Sequence, residues 1–371
     1  MEQRITAASS ALIKGWEPDR HEIHKRILLV RHPQGMPVDE DFKLVEGMVP
    51  VPPPGKLLVK TLYLSLDPFH RMVMNPTPRN AEVLPLYGVM IGDVVGHVVK
   101  SNHPNFSEHD IVNGVLGWQS HAITDGAGHY IHNASGLRKV DPSHGPVHSA
   151  CGVLGRTGLT AYFSVVRECN PKKNDVMLVS TAAGAVGHLA GQIGKILGCT
   201  VIGLTSTEEK VKFLTDTLGY DDAINYKKVN DIGASIRRVC PRGIDIFYDN
   251  VGGHISDAAH SQLNSGGRVT YVGVTDNYNE VGESGEPFEW KMDRPSNLPG
   301  DKTFMFNVHD YRDHNEDGRE QLSRWINEGK LIYHADIWNG LENAPRAWID
   351  MMNGGNMGKR VVQVAKEPDW L

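Results

Sequence analysis

The chain is poor in cysteine, in long apolar runs and in charge of one sign, and each shortage excludes a class of function. Its four cysteines, Cys151, Cys169, Cys199 and Cys240, are scattered through 371 residues. They form neither a compact thiolate cluster for structural zinc nor a dense secreted disulfide framework, so reduced thiols are expected. No stretch approaches the roughly 18 consecutive apolar residues of a membrane span. The first twenty residues, which include Glu2, lack an apolar signal core. A cytoplasmic protein is therefore expected. The 38 basic and 44 acidic residues leave a formal charge of −6, with no broad positive field for nucleic acid or anionic membrane. A small molecule is the expected partner. Eighteen histidines are present, but they are dispersed. His121, His129 and His132 have no thiolate partner and no HExxH helix, so no functional metal is expected.

What the chain does have is length for two cores and a change of pattern near residue 150. From about 24 to 145, short apolar runs alternate with turn chemistry. Arg26–Arg31 and Leu57–Leu64 flank the PVPPPG turn at 50–55, and spaced glycines follow between Gly88 and Lys100. This predicts a β-rich domain with bulges or barrel corners at the glycines. From about 150 the order becomes strand, loop, helix: 176–179 then 186–198, 200–204 then 207–218, 223–225 then 230–239, 244–248 then 254–263, and finally 268–273. That alternation predicts a parallel sheet with crossover helices. Residues 276–301, rich in Gly, Pro, Asn and Glu, read as a long surface loop. A helix at 317–329 and a strand ending at 361–364 complete the tail, which could rejoin the first domain.

The junction TAAGAVGHLAG, 181–191, resembles the dinucleotide fingerprint GxGxxG without its first glycine. Gly184 would let the backbone approach a pyrophosphate and Gly187 would allow close packing of helix on strand. The helix N-terminus that follows would offer N–H groups to the phosphates. Ala182 can serve in the first position if its φ stays negative. A second absence concerns the ribose: where an NAD site places an acid about 20 residues on, the strand ends in Gly203, Thr205 and Ser206, with Lys210 a turn later. Hydroxyls and an ammonium suit a 2′-phosphate, hence NADPH. The other reading leaves Lys210 a solvated helix residue and gives the acid's role to Glu208 or Glu209.

Taken together, PQGMPVDEDF (33–42), LYLSLDPFHRMVMN (62–75), GLTAYF (158–163), AAGAVGHLAGQIGKILGC (182–199), GIDIFYDNVGG (243–253), GGRVTYVGVTDNYN (266–279) and GGNMGKRVVQV (354–364) resemble one family. It is the zinc-independent medium-chain dehydrogenase/reductase family, which includes leukotriene B4 12-hydroxydehydrogenase/prostaglandin reductase, alkenal double-bond reductases and curcumin reductase. The resemblance implies a Rossmann doubly wound parallel sheet inserted into a β-rich GroES-like catalytic domain. The expected division is an extension at 1–24, the catalytic domain at 25–146 and 318–371, and the NADPH domain at 147–317. The implied activity is NADPH-dependent reduction of the C=C bond of α,β-unsaturated ketones or aldehydes. A quinone reductase, a hydroxy-lipid dehydrogenase and an inactive NADPH-binding protein are alternatives. A homodimer is implied by the family alone.

Carried across by position, the resemblance puts Ala185, Val186, Gly187 and His188 at the pyrophosphate, Lys210 on the 2′-phosphate beside the Thr205 and Ser206 hydroxyls already read there, and Tyr226 at the adenosine half. Asn250 would lie near the nicotinamide ribose. Val272, Gly273, Val274 and Tyr278 with Phe306, Asn307 and Val308 would wall the nicotinamide, and Asn356 would reach the cofactor from the tail. Without a metal, the hydride must be aligned on the β-carbon and the developing enolate oxygen held by hydrogen bonds. Tyr278 is the candidate donor and catalytic residue. Three positions depart from the family pattern. Phe69 replaces a tyrosine in the substrate pocket. Arg156 puts a cation where methionine is usual, available to a carboxylate, a phosphate or a neighbouring acid. His188 stands where serine is frequent and, if protonated, would add a pH-dependent contact to pyrophosphate.

Overall fold

The computed structural model describes residues 22–76, 84–127, 136–273, 275, 278–279 and 302–371, with the backbone alone for 302–305. Among these residues, no helix is long and apolar enough to cross a membrane.

The strand–helix alternation after residue 150 folds into a six-stranded parallel sheet. Its spatial order is Asp222–Asn225, Thr200–Thr205, Val176–Val179, Ile244–Asp249, Leu263–Tyr271 and Lys302–Met305. In order of sequence that is 3-2-1-4-5-6, the doubly wound arrangement, which reverses direction between Val176–Val179 and Ile244–Asp249. Both faces are covered, so the strands read as unbroken apolar runs; all four residues of Val176–Val179 are buried. Alternate side chains divide between two cores. Met177, Val179, Val201, Ile246 and Tyr248 pack with Leu189, Ala190 and Ile193 of the helix Gly187–Ile196. Val176, Leu178, Ile202, Leu204, Phe247 and Val269 pack with Ile236, Ile255 and Ala259 on the opposite side. The strand at 302–305, which the periodicity did not signal, adds the sixth member at the edge.

The β-rich part is a seven-stranded sheet in the order Ala335–Asn339, Lys359–Gln363, Leu57–Ser65, Asp93–Ser101, Ile111–Val115 and Arg138–Lys139, with His121–Thr124 also paired to Leu57–Ser65. The tail strand Lys359–Gln363 runs antiparallel to Leu57–Ser65, Val361 opposite Ser65. At Gly96 a Cβ would lie 2.2 Å from the Lys60 carbonyl oxygen, at a pair of register shifts in this sheet. The glycine is therefore required by close backbone approach at a bulge, as its spacing suggested.

Candidate functional site

The glycine-rich turn lies at the carboxyl end of Val176–Val179, beside the point where the strand order reverses. Ala182 is absent from the residues with positive φ, while Thr181 just before it adopts φ 47°. The turn thus takes its left-handed step at Thr181, on a β-branched side chain that rarely accepts it. Gly187 cannot be replaced without movement, because a Cβ there would stand 2.3 Å from the Thr181 carbonyl oxygen. The turn leaves the backbone N–H groups of Val186 and Gly187 without an acceptor among the described residues, while that of Ala185 faces the Gly358 carbonyl across the bridge between Gly184 and Gly358. Two unpaired donors at the start of a ten-residue helix fit a pyrophosphate.

His188 requires a correction. Its imidazole is fully buried and turned inward: Nδ1 lies 2.8 Å from the Gly184 carbonyl oxygen, and Nε2 accepts from the His334 N–H at 3.4 Å. Burial lowers its pKa to about 4, and its own N–H donates to Gly184 O. A ring held neutral beneath the turn makes no protonation-dependent contact with phosphate; it braces the loop instead.

At the adenosine end, Thr205 is buried and its carbonyl accepts from the Tyr226 N–H at 2.9 Å. Thr207 caps the next helix by accepting from the Lys210 N–H. Glu208, one of the two acids that could have replaced Lys210, accepts from Asn225 Nδ2 at 2.7 Å and faces Lys228 at 3.5 Å. The Lys210 ammonium reaches the Gly354 carbonyl at 2.6 Å, with burial lowering its pKa. Ser206 Oγ lies 3.9 Å from where a Gly354 Cβ would stand. A serine hydroxyl, a lysine and a side-chain-free tail thus converge, and the donor set suits a phosphate.

The tail ties this corner to the turn. Gly358 N–H donates to Ala183 O at 2.8 Å, and Asn356 Nδ2 donates to Gly358 O. Asn356 therefore braces the tail through its side chain, beside Gly184, which bridges to Gly358.

Across the switch point, Asn250 is buried. Its N–H donates to Ser180 Oγ and its Nδ2 to Ser180 O, at 2.8 and 2.7 Å. Its carbonyl accepts from the N–H and hydroxyl of Thr275. Asp249 holds the turn below by accepting from Ser180 Oγ, Val251 N–H and Gly252 N–H. Val272 and Gly273 N–H groups both donate to Asp249 O. The Tyr278 hydroxyl lies 3.8 Å from where a Cβ on Gly273 would stand, so the phenol and the Asn250 loop share one wall. Phe306 continues that wall through its N–H to Tyr271 O, with its ring stacked on Tyr311. Val308 packs on the core below, and Asn307 caps the next turn by accepting from His309 N–H. Val274 lies outside the described residues. Ser180 and Asp249 carry one signal in the sequence, a polar residue at each of two apolar strand ends, meaningful only once those ends are neighbours.

Phe69 and Arg156 meet each other. The guanidinium lies over the Phe69 ring at 5.4 Å and pairs with Asp93 at 3.3 Å. Of the partners open to Arg156, a neighbouring acid is the one present.

Residues 25–131 match the family profile described as "N-terminal domain of oxidoreductase", and 185–292 the one described as "Zinc-binding dehydrogenase". Among the described residues, no three His, Cys, Asp or Glu side chains gather to hold a metal. The Cys151 thiol instead faces the carbonyls of Tyr63 and Asp93. The described residues do not fit zinc; His129 and His132 lie outside them. The chain is 35% identical to the NADPH-dependent curcumin reductase of Escherichia coli over 92% of its own length and 97% of that protein. It is 33% identical to the 2-alkenal reductase (NADP(+)-dependent) of Nicotiana tabacum, over 93% and 98%. The solved structure of CurA from Vibrio vulnificus in complex with NADPH superposes with a TM-score of 0.83 at 37% identity, covering 92% of this chain and all of that one.

Proposed function

This chain belongs to the zinc-independent medium-chain dehydrogenase/reductase family, and on that premise we propose that it reduces the C=C bond of α,β-unsaturated ketones or aldehydes with NADPH. It is an NADP-dependent oxidoreductase. The observation that carries the reading is the pairing of a phosphate corner, Ser206 and Lys210 under Gly354, with the unpaired N–H donors of Val186 and Gly187 at the glycine-rich turn. When bound, NADPH supplies the hydride.

The remaining chemistry falls to the chain. Asn250, Val272, Gly273 and Phe306 line the nicotinamide side and exclude water from it. Tyr278 donates a hydrogen bond to the substrate oxygen as enolate charge develops there, an interaction stronger in the transition state than in the ground state, and the enolate then takes its α-carbon proton from a tyrosine or water to give the saturated carbonyl. Phe69 and Arg156 belong to the substrate pocket, offering an aromatic face capped by a cation. The purified protein is expected to oxidise NADPH with enones or enals and to yield the saturated carbonyl; product analysis returning only allylic alcohols would overturn the assignment.

Two substitutions probe the site. Tyr278→Phe is expected to lower kcat by roughly tenfold with the KM for NADPH unchanged, and a wild-type rate would remove the phenol from the mechanism. Lys210→Ala is expected to raise the KM for NADPH by about tenfold, the scale of a lost charge-assisted hydrogen bond, and to leave NADH nearly unaffected. Equal losses with both nucleotides would refute the phosphate contact. The family resemblance also leads us to propose a homodimer working in the cytoplasm; light scattering coupled to gel filtration tests the assembly.

A further inference from the structure

Arg71 is a buried cation that hydrogen-bonds to no carboxylate among the described residues. It is 1% exposed, in the short helix His70–Val73. Among the described residues its guanidinium donates to neutral oxygens. Nε donates to Gly35 O and to Asn279 Oδ1, both at 3.1 Å; Nη1 donates to Asn75 Oδ1 at 2.6 Å, and Nη2 to Pro33 O at 3.5 Å. Burial lowers its pKa to about 10, with Asp41 acting against the shift, so it stays charged at neutral pH. Burying such a group is costly unless its donors are met, and here three chain segments meet them. They are 33–35, 71–75 and 279, far apart in sequence. Gly35 also packs directly on the last of them, since a Cβ there would stand 3.8 Å from Asn279 O.

Asn279 immediately follows Tyr278. We propose that Arg71 and Asn279 are positioning residues that fix where the Tyr278 hydroxyl stands. The proposal rests on the reading of Tyr278 as the donor to the substrate oxygen. The guanidinium is a rigid planar fork whose donor directions are set together. Holding Asn279 Oδ1 and Gly35 O on the same Nε–H locks the backbone that carries the phenol against the loop at 33–35. A displacement of about 1 Å at a group acting in the transition state can cost on the order of a hundredfold in rate, so even partial release is measurable.

The test compares Asn279→Ala and Asn279→Asp, each with and without Tyr278→Phe, using NADPH and benzylideneacetone. Asn279→Ala removes the oxygen that Arg71 holds. We expect kcat to fall about fivefold or more, consistent with a misplaced donor, with the KM for NADPH within about twofold of wild type. Asn279→Asp keeps an oxygen for Nε–H and is expected to recover at least half of that loss. In the Tyr278→Phe background, Asn279→Ala is expected to add nothing further, because the group it positions has gone.

A wild-type kcat for Asn279→Ala while Tyr278→Phe is slow overturns the clamp and leaves the catalytic reading standing. An equal fold-loss in both backgrounds also overturns it, since that marks a general structural effect. A wild-type kcat for Tyr278→Phe itself removes the catalytic reading and the clamp's role together. If Asn279→Ala does not fold, Asn279→Asp decides: a rate near wild type supports the clamp and a collapse overturns it.

Discussion

Lys359→Met is expected to lower the free energy of unfolding by about 3 kcal/mol, the low end of the cost of stranding one partner of a buried ion pair. The Lys359 side chain is fully buried, and its ammonium donates to Asp67 Oδ1 at 2.7 Å and Leu66 O at 2.8 Å. Ser65 Oγ donates to the other carboxylate oxygen, and Trp348 Nε1 to the Asp67 carbonyl. Burial alone would raise the Asp67 pKa; Lys359, His70 and the hydrogen bonds outweigh it and bring the value to about 2. Methionine fills the stem's volume but leaves an anion without its cation. Asp67 keeps 19% of its side chain exposed, so water offsets part of the penalty, which is why the low end applies. Asp67→Asn in the same chain should recover much of the loss, since the uncompensated charge then disappears. Urea unfolding of the two single variants and the double variant measures the coupling; an unchanged midpoint for Lys359→Met would falsify it.

The second large effect is loss of stability in mild acid. His188 and His70 are both fully buried, and burial lowers their pKa values from 6.5 to about 4 and about 3. For His70, Asp67 opposes the shift, while Lys359 and Arg156 reinforce it. A depressed histidine pKa means the unfolded chain binds more protons below pH 6.5, so stability falls as pH drops through 6.5 and the loss levels off only near the folded values. Each group contributes on the order of 3 kcal/mol across that window. His97 and His121, lowered to about 4 by burial, act in the same sense. Asp67 does not confuse the reading: its contribution persists until pH falls below its ordinary value of 3.8 and is lost toward 2. Urea midpoints between pH 7 and 4.5 should therefore decline steeply. His188→Gln, which stays neutral, should flatten the slope by about one proton; a slope identical to wild type would clear His188 of the effect.

The fold could be read from local patterns because its evidence is local. Four buried residues in a row at 176–179 and the apolar stripe of 187–196 both follow from the period of the element and the faces it buries. Gly184 and Gly187 could be located for the same reason. His188 misled because an imidazole next to a phosphate turn has two directions available, and only the packing of His334 and Gly184 around it selects the inward one. The Arg156–Phe69 contact and the Arg71 clamp were invisible for a different reason. Their partners are 87 and 208 positions apart, and nothing in the intervening sequence encodes that approach. Thr181 shows the limit most simply: the missing first glycine was plain, but the residue that absorbed the unusual φ could be named only from the backbone itself.

The antiparallel pairing of Lys359–Gln363 with Leu57–Ser65 has a consequence for synthesis on the ribosome. By the time residues 57–65 emerge, their neighbour has not been translated, and nearly three hundred residues must follow. During that interval the edge at 63–65 stands open, able to pair with any passing strand. The nucleotide-binding sheet, whose strands all fall between 176 and 305, can close first and wait. The strand at 359–363, made much later, then closes that edge and, through Gly358, fastens the two halves together. A chain that stops before Lys359 would retain its sheet of parallel strands but expose an adhesive border, making truncation an aggregation hazard before it is a catalytic one.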